Sequence, residues 1–507
     1  MEQTGNKTIA KNATMLYIRM FFTMAISFYT SRIVLEALGV SDYGIYNVVG
    51  GVIGIINILS APLNSTTSRF LTYALGKNNF DNLKHTFSTA AWANIAIALI
   101  FIILTETIGL WFVNTQLVIP AERMIAANWV YQASIVAIVT SIIQIPYNAS
   151  IMSHERMSAF AYISIINALC KLGLVLIVLY YRGDQLILYS ILLVVLSILF
   201  QLYYRYYCVK HFEECHIILQ FYKPLFKEMV TFSSWSLLGS ITHTFKEQGV
   251  NILLNRFFGT LLNAAAGIAL QVQGIVYTFT SNISTAFNPQ IIKSYAASDY
   301  QRVNELIGLG TKFTALVTIL TTIPFIFNMD FLMSLWLKEV PSGAVVICQI
   351  LLFANFFNSF NSFVSTAITA SGEIKYLNIT LSSLYVIVLL GTWTVMKLTH
   401  SYVWAYIVGL VCCPLSTIVY LVILKRLIPS FSVRAFIIKT YLPLFITALA
   451  NYSLAYFISG LVNKPLVSFL LITIICTIFV VAVAYFFIFD KNVREQVKIF
   501  VNSKVKL

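Results

Sequence analysis

Ionisable side chains inside long apolar segments are the residues of this chain that could do chemistry. Lys246 and Glu247 are adjacent in one such segment, and His243 precedes them by about one helical turn. At 100° per residue, these three share about a third of a helix circumference with Ser236 and Ser240. A basic residue in the middle of a bilayer costs at least about 3 kcal/mol, so it tends to face water or a partner. The pattern predicts a polar helix face that could bind an anion or carry a proton, and a charge pair that only joins two helices is the alternative.

Three other apolar segments carry stripes of amide and hydroxyl side chains. The stripes are Asn57, Asn64 and Ser68, then Gln271, Thr278, Asn282 and Thr285, and finally Asn355, Ser362 and Thr366. Such side chains could bind a sugar or another polar solute, since they both donate and accept hydrogen bonds. A single one more often joins two helices, with a gain of about 1 kcal/mol. Repetition in four segments favours a water-filled cavity between two lobes.

The first apolar segment and the one that follows add further charges. Arg19, Arg32 and Glu36 lie in the first segment, and Arg69 lies at the base of the second. A helical wheel places Arg19 and Arg32 well apart, so both cannot face one narrow groove. Either side chain could instead extend to the membrane interface, whereas Lys171 lies too far from the ends of its segment to do so easily.

These observations define one set of candidate site residues. The predicted cavity-lining residues are Arg19, Arg32, Arg69, Lys246, His243, Asn57, Asn64, Gln271, Asn282 and Asn355, with Glu36 and Glu247 as candidates for coupling or gating. No catalytic residue is predicted, because the chain has no P-loop, no His-Glu-x-x-His helix and no nucleophile elbow. We therefore expect no enzyme activity, no cofactor and no metal site.

The elements that must position these residues follow from composition. The chain has 507 residues, of which 59% are apolar and only 10% are charged. Soluble domains carry about 25% charged residues, so an ordinary soluble fold is excluded. Transmembrane barrel strands are about ten residues long and alternate in polarity, whereas the runs at 95–104 and 466–489 are continuously apolar. The sequence predicts an all-α polytopic membrane protein.

Fourteen apolar segments are long enough to span a bilayer of roughly 30 Å. Their predicted bounds are 12–38, 45–68, 86–113, 124–149, 158–181, 186–207, 229–256, 261–287, 304–329, 342–370, 376–397, 402–424, 435–458 and 465–489. Most lysines and arginines fall in alternate loops that include both termini, so both termini are predicted to be cytoplasmic. The net charge of +14 is thus a topology signal, and no nucleic-acid partner is expected.

A weak internal repeat divides the predicted helices into two lobes. Gly39 and Gly259 stand 220 residues apart, as do Phe80 and Tyr300, and the middle of the repeat needs a shift of about three residues. Two six-helix lobes related by pseudo-symmetry, with an appended C-terminal helix pair, explain this spacing. The predicted divisions are 1–210 for helices 1–6, 211–228 for a cytoplasmic linker, 229–427 for helices 7–12, and 428–507 for helices 13–14 with a basic cytoplasmic tail.

Several motifs near the start of the chain identify a family. They are KNATMLYIRMFFTMAISFYTSRIVLEALGVSDYGIYNVVGG at 11–51, which contains LG-x-x-DYG-x-Y, and STTSRFLTYALGKNNFDNLKHTFSTA at 65–90, which contains R-F-x-T-x-x-L-G-K. This region, with NPQIIK at 288–293, resembles the Wzx-type bacterial flippases of O-antigen and capsule repeat units. That family shares the MOP superfamily with the multidrug (MATE) transporters and the peptidoglycan-precursor flippase.

The resemblance implies a MATE-like bundle that works by alternating access in the bacterial inner membrane. It implies export of an undecaprenyl-diphosphate-linked oligosaccharide from the inner to the outer leaflet, for O-antigen, lipopolysaccharide, capsule or exopolysaccharide biosynthesis. Polysaccharide polymerase and chain-length proteins are the partners it implies, beside membrane lipid. It also implies that Arg19, Arg32, Arg69 and Lys246 meet the diphosphate or acidic sugars. Few lysines or arginines lie in the middle of spans here, so we expect a less acidic glycan.

Two other functions stay open from the sequence. A cation-coupled multidrug exporter of the same fold needs a carboxylate within the membrane, and Glu36, Glu106 and Glu247 are the only acids well inside the predicted spans. A membrane enzyme of glycan assembly is disfavoured, because the predicted outer loops are short and no catalytic motif is present.

Overall fold

The computed structural model describes residues 2–54, 60–117, 119–218, 222–337, 339–462, 464–491 and 493–495. The helices are α1 (Glu2–Gly54), α2 (Ser60–Gly76), α3 (Phe80–Leu104), α4 (Leu110–Thr115), α5 (Met124–Ser153), α6 (Met157–Leu179), α7 (Gln185–His211), α8 (Lys223–Phe258), α9 (Thr260–Ala296), α10 (Tyr300–Phe327), α11 (Met329–Trp336), α12 (Ala344–Ser359), α13 (Ser362–Ser371), α14 (Lys375–Thr399), α15 (Tyr402–Leu427), α16 (Val433–Phe436), α17 (Leu442–Leu461) and α18 (Pro465–Val483). Within these ranges the fold is all-helical, as predicted.

The described helices can be compared with the fourteen predicted membrane spans. In the described part of the chain, eleven helical segments are long and apolar enough to cross a membrane, and the pair α12–α13, bent by 46°, makes twelve. The span predicted at 229–256 lies in α8, which is not among them, because its polar face lowers its hydropathy. The span predicted at 45–68 includes residues 55–59, which lie outside the described residues. The count of fourteen is therefore not confirmed.

The chain divides into two compact units. The first contains Met1–Ser240 and Ile292–Ser298, and the second contains Ile241–Ile291 and Asp299–Leu507. Helices α8 and α9 each contribute to both units, and the last residues of α9 pack in the first. The predicted domain divisions at 211–228 and 428 stay predictions.

Each unit is held together by closely packed apolar side chains. Two clusters in the first unit surround Val49, Phe101 and Tyr131 and, separately, Leu71, Phe87 and Ile151. Two in the second unit surround Leu254, Ile347 and Met396 and, separately, Ile319, Leu444 and Cys476. Because lipid tails are as apolar as these side chains, van der Waals packing rather than exclusion of water stabilises such contacts.

Sharp turns recur at the spacing of the predicted repeat. Gly39 interrupts α1 with φ 71°, and Gly259 separates α8 from α9 with φ 80°. These left-handed values favour glycine because it has no Cβ. Further along, Glu155 (φ 58°) lies in the turn that follows α5, and Gly372 (φ 87°) lies in the turn that follows α13. The offset is 220 residues for the first pair and 217 for the second, which matches the expected three-residue shift.

The connections α2–α3 and α9–α10 also share their geometry. Asn78 (φ 51°) and Ser298 (φ 61°) occupy equivalent left-handed positions. The next residues, Asn79 and Asp299, are N-caps whose side chains each accept the backbone N–H three residues later, at 3.0 Å. Such a cap satisfies one of the free N–H groups of a helix. Corresponding turns and caps in both parts of the chain support the predicted duplication.

Candidate functional site: a polar cavity in the first unit

A polar cavity of about 430 Å³ lies inside the first unit. Helix α1 contributes five positions on one face before Gly39 and two tyrosines after it, α6 contributes four residues, and α7 contributes two tyrosines. The lining residues are Thr23, Ser27, Thr30, Ser31, Val34, Tyr43, Tyr46, Ser164, Asn167, Ala168, Lys171, Tyr189 and Tyr204. Their spacing in α1 and α6 follows the three- and four-residue steps of one helix face.

Small hydroxyl residues allow α1 and α6 to approach while leaving this space open. The hydroxyl groups of these residues mostly donate hydrogen bonds to carbonyl groups of their own helix. The Thr23 hydroxyl donates to the Arg19 carbonyl at 2.8 Å, and the Thr30 hydroxyl donates to the Ile26 carbonyl at 2.7 Å. Each hydroxyl oxygen keeps lone pairs for a further donor. The α1 face is therefore suited to accept hydrogen bonds from a polyol or from water.

Lys171 is the charged residue of the cavity. It lies well inside α6, an apolar helix with a mean hydropathy of 2.2, and it retains exposed surface. No ion pair or hydrogen bond joins its side chain to another described residue, and no Asp or Glu is among the residues that line the cavity. A lysine at this depth needs water or an anion beside it. The cavity provides space for either.

Arg19 lies one helical turn from Thr23 on the same face of α1. Its Cζ is 4.8 Å from the ring centroid of Phe160, and its carbonyl accepts the hydrogen bond from the cavity-lining Thr23 hydroxyl. The structure thus places Arg19 next to the end of the cavity. Arg32 and Glu36 are exposed and are not among its lining residues.

Arg69 is enclosed by aromatic rings rather than by the cavity. Its Cζ lies 4.5 Å from the ring centroid of Phe70, 4.9 Å from Tyr73 and 5.4 Å from Phe232. Its Nη1 lies 3.8 Å from Glu228 Oε1, and only 5% of the side chain is exposed. Cation–π contacts and a carboxylate compensate the burial of this charge. A role in binding substrate stays a prediction.

The two amides predicted on the same helix as Arg69 are less fully described. Asn64 is half-buried, and its Oδ1 has no hydrogen-bond donor among the described residues. Asn57 lies outside the described residues. Asn64 is not a lining residue of the cavity around Lys171.

An ion triad fixes the part of α1 after Gly39, whose two tyrosines line the cavity. Arg123 Nε donates to Asp42 Oδ1 at 2.9 Å, and its Nη1 donates to Asp184 Oδ2 at 2.6 Å. Asp42 belongs to the Asp-Tyr-Gly motif and precedes Tyr43 directly. Bidentate arginine–carboxylate contacts fix geometry as well as charge. The triad therefore positions Tyr43 and Tyr46 beside the cavity.

The triad predicts an acid-sensitive contribution to stability. Although partial burial raises the pKa of Asp184, hydrogen bonds from Arg123 and from the Ile187 N–H lower it below its usual value. A lowered folded-state pKa stabilises the protein above the unfolded value of about 3.9, and this contribution is lost as the pH falls through the folded value. Asp184→Asn should lower the unfolding temperature at pH 7 and should weaken its fall between about pH 5 and pH 3.

The asparagine variant is a matched test because its Oδ1 can still cap α7, as Asp184 does for the Ile187 N–H at 3.1 Å. A pH profile identical to that of the native protein would contradict the assignment.

The second unit brings together the ionisable residues predicted in α8. His243 Nε2 lies 3.6 Å from Glu247 Oε1. The His243 ring stands edge-on to Tyr385 at 5.3 Å, and Lys246 Nζ is 5.4 Å from the centroid of that same ring. Thr242 is hydrogen-bonded to Ser382 at 2.8 Å. Helix α14 thus partners the polar face of α8 through one tyrosine and one serine.

The amide and hydroxyl stripes of the second unit form a ladder between α9 and the bent pair α12–α13. Gln273 Nε2 donates to Asn355 Oδ1 at 3.1 Å. Beyond the bend, Ser284 is bonded to Ser362 at 2.7 Å, and Thr366 donates to Asn288 Oδ1 at 2.8 Å. Among the predicted residues outside these pairs, Gln271 is exposed and Asn282 donates to the Thr278 carbonyl of its own helix. Hydrogen bonding between helices accounts for much of this polarity.

Replacement of Asn355 separates the structural use of the ladder from sugar binding. We expect Asn355→Leu to lower stability by about 0.6 kcal/mol, and by at most about 1.7 kcal/mol, as for other hydrogen bonds between membrane helices. The double variant with Gln273→Leu should be less than additive. A large loss of transport at unchanged unfolding temperature would instead support a direct contact with substrate.

Sequence reasoning missed several residues of this site. Lys171, Tyr43 and Tyr46 were not in the predicted set, although the depth of Lys171 in an apolar segment was a usable signal. Arg123 and Asp184 carried no signal, because their partners are distant in sequence. In the described part of the chain, no cluster of three or more His, Cys, Asp or Glu side chains could hold a metal ion.

Comparison with known proteins places these features in one fold. Residues 236–394 match the MatE family model. No curated protein sequence matches the chain. Solved structures similar to it include a MATE in the straight conformation, with 14% identity, a TM-score of 0.70, and 84% of this chain and 96% of that chain covered.

Two further structures agree. One is the outward-facing conformation of a multidrug resistance MATE family transporter of the MOP superfamily, at 13% identity and a TM-score of 0.70, covering 83% of this chain and 96% of that one. The other is a MOP superfamily transporter from Pyrococcus furiosus, described by the reverse polarity of its binding pocket, at 12% identity and a TM-score of 0.68, with the same coverage. The chain therefore has the fold of the MATE transporters, and its residues 236–394 match the MatE family model.

Proposed function

We propose that this chain is a membrane transporter that moves a lipid-linked oligosaccharide from the inner to the outer leaflet by alternating access. The observation that carries the proposal is the lining of the cavity in the first unit. It combines hydroxyl, amide and tyrosine side chains with Lys171, and its described lining residues include no carboxylate.

The chemistry of the lining suits a sugar attached to an anionic group. Tyrosine rings pack against the apolar faces of sugars, while Asn167 and the serine and threonine hydroxyls exchange hydrogen bonds with their hydroxyl groups. The Lys171 ammonium, with Arg19 beyond the end of the cavity, would attract a phosphate or a carboxylate. A volume of about 430 Å³ lies in the range of small-ligand sites.

A lipid-linked substrate also fits the physics of the bilayer. Its polar headgroup needs a hydrated path, because unsatisfied polar groups are costly in hydrocarbon. Its polyprenyl tail can remain in lipid. We propose the bacterial inner membrane as the location, with an undecaprenyl-diphosphate-linked glycan as substrate and polysaccharide polymerase and chain-length proteins as partners. The motifs at 11–90 support this choice over cation export.

Reconstitution tests the proposed function directly. Proteoliposomes containing the purified protein should expose labelled polyprenyl-diphosphate-linked oligosaccharide to a lectin or glycosidase on the opposite leaflet. Empty liposomes and liposomes with an unrelated membrane protein supply the controls. Equal exposure in all three preparations would contradict the proposal. In cells, deletion should leave lipid-linked repeat units on the inner leaflet.

A second candidate function is a cation-coupled multidrug exporter. Two carboxylates within helices favour it: Glu247 beside His243, and Glu106, whose Oε2 accepts a hydrogen bond from Gln132 at 3.2 Å. Such groups could exchange a proton during transport. Drug resistance that depends on Glu106 and Glu247, with surface glycan unchanged by deletion, would select this function instead.

A further inference from the structure

A second cavity, of about 480 Å³, lies where α1 and α6 begin, and the proposed transport site does not use it. Its lining comes from the start of α1, the α5–α6 turn, the first turns of α6, and the far part of α7. The lining residues that could contact a ligand include Lys11, Asn12, Arg156, Tyr162 and Tyr203. All belong to the first unit.

The charge of this cavity is positive. Lys11 and Arg156 are both exposed, and neither has an ion-pair partner among the described residues. The acidic lining residue, Glu155, is already engaged, because Lys293 Nζ lies 2.5 Å from its Oε1, and only 9% of its side chain is exposed. Two cations therefore face the cavity without an acidic side chain to neutralise them.

A buried amide supplies a second, independent sign of a missing ligand. Asn12 is 2% exposed and lines the cavity. Its Nδ2 has no hydrogen-bond acceptor among the described residues. A buried donor without an acceptor is unfavourable, and a turn of the Asn12 amide toward an anion oxygen in the cavity would remove that cost.

The first turn of α6 adds backbone donors. Ser158 and Ala159 line the cavity, and the helix has no side-chain N-cap. The leading N–H groups of a helix have no intrahelical partner, and the helix dipole makes this end attractive to anions. Backbone N–H groups, an amide and two cations therefore converge on one space.

Apolar surface borders the same cavity. Tyr162 is 60% exposed, Ile166 is 51% exposed and Tyr203 is 47% exposed, and α6 and α7 are both candidate membrane spans. A soluble anion would leave this surface uncovered, whereas a lipid would place its chains against it.

We propose that this cavity binds the phosphate group of an anionic membrane lipid. The phosphate accepts hydrogen bonds from Asn12 and the start of α6, and it pairs with Lys11 and Arg156. The acyl or prenyl chain lies along Tyr162 and Ile166. This site is independent of the transported substrate, and it predicts a protein that is more stable in anionic lipid.

Native mass spectrometry of the detergent-purified full chain tests the proposal with four probes: phosphatidylglycerol, phosphatidylcholine, undecaprenyl phosphate and inorganic phosphate. We expect phosphatidylglycerol to bind at least about tenfold more tightly than phosphatidylcholine, whose choline cation opposes Lys11 and Arg156. Tighter binding of undecaprenyl phosphate would identify a polyprenyl lipid as the source of the phosphate. Inorganic phosphate that binds as tightly as either lipid would overturn the lipid assignment.

Variants locate the site. Lys11→Gln with Arg156→Gln should weaken binding of phosphatidylglycerol at least about tenfold, whereas Arg426→Gln, an exposed arginine at the end of α15, should change it less than about twofold. Asn12→Leu should raise the unfolding temperature of the lipid-free protein, because it removes an unpaired buried donor, and should still reduce the stabilisation by phosphatidylglycerol. Equal lipid binding in these variants and in the Arg426 control would refute the proposal.

Discussion

Lys171→Glu is expected to reduce export of the lipid-linked glycan to below a tenth of the native rate. The ammonium lies in the cavity of α1, α6 and α7 without an acidic partner among the lining residues. Two unit charges 4 Å apart interact by about 4 kcal/mol at an effective dielectric of about 20, so reversing one charge changes attraction into repulsion of similar size. The measurement is the rate of leaflet exposure in proteoliposomes, at matched protein amounts.

Three substitutions separate charge from folding. Lys171→Arg keeps the charge and should retain most of the transport, whereas Lys171→Met keeps the aliphatic stem and should lose much of it. Replacing a charged side chain inside an apolar helix by an apolar one is often neutral or stabilising, so Lys171→Met should unfold no earlier than the native protein. If Lys171→Glu exported glycan at the native rate, the cavity would not be the substrate site.

The same series distinguishes the two candidate functions. A cationic drug would be repelled by Lys171, so Lys171→Glu should improve its export if the chain is a multidrug exporter. A glycan with an anionic group should show the opposite response. The sign of the effect, rather than its size, therefore identifies the class of substrate.

Local conformation was the part of the fold that sequence could predict best. The positive φ of Gly39 and Gly259 follows from glycine chemistry at equivalent places. The apolar lengths located nearly every helix. Helix α8 is not among the candidate membrane spans, because the polar residues that were predicted to line a cavity also lower its hydropathy.

The site was harder to predict, because a helical wheel shows which residues share a face but not which neighbour that face meets. In α9, Gln271 is exposed, while Gln273, two positions on, bonds Asn355. A bend between α12 and α13 then changes the pairing register by four residues, from 273–355 to 284–362. The surroundings of Arg69 could not be predicted for the same reason, because Phe232, which lies against it, is distant in sequence.

Charge depth was the more reliable signal. Lys171, eight residues before the end of α6, lines a cavity, whereas Glu36, three residues before the break in α1 at Gly39, is exposed outside it. The bilayer explains this difference. A residue near an interface can reach water by extending its side chain, but one at mid-depth can reach water only through a cavity.

Gly76→Ala is expected to lower the unfolding temperature of the protein. A methyl group on Gly76 would lie 2.8 Å from the Lys293 Cα, the Lys293 carbonyl oxygen and the Ala296 Cβ. Two of these are backbone atoms, so α2 and the end of α9 would have to separate. Overpacking of this kind costs about 1–3 kcal/mol.

The separation should also weaken the ion pair between Lys293 and Glu155, so Gly76→Ala and Lys293→Met should be less than additive when combined. Gly267→Ala is the control. Gly267 lies in α9, the helix that Gly76 contacts, and no atom lies within 4 Å of a methyl group built on it. Alanine favours helix by about 1 kcal/mol over glycine, so the control should unfold at the native temperature or above it. Gly267 lies inside α9 and Gly76 ends α2, so the helix preference applies fully only to the control. An unfolding temperature of Gly76→Ala below that of the native protein reports the contact of Gly76 with α9, and an unchanged temperature would show that this contact contributes nothing.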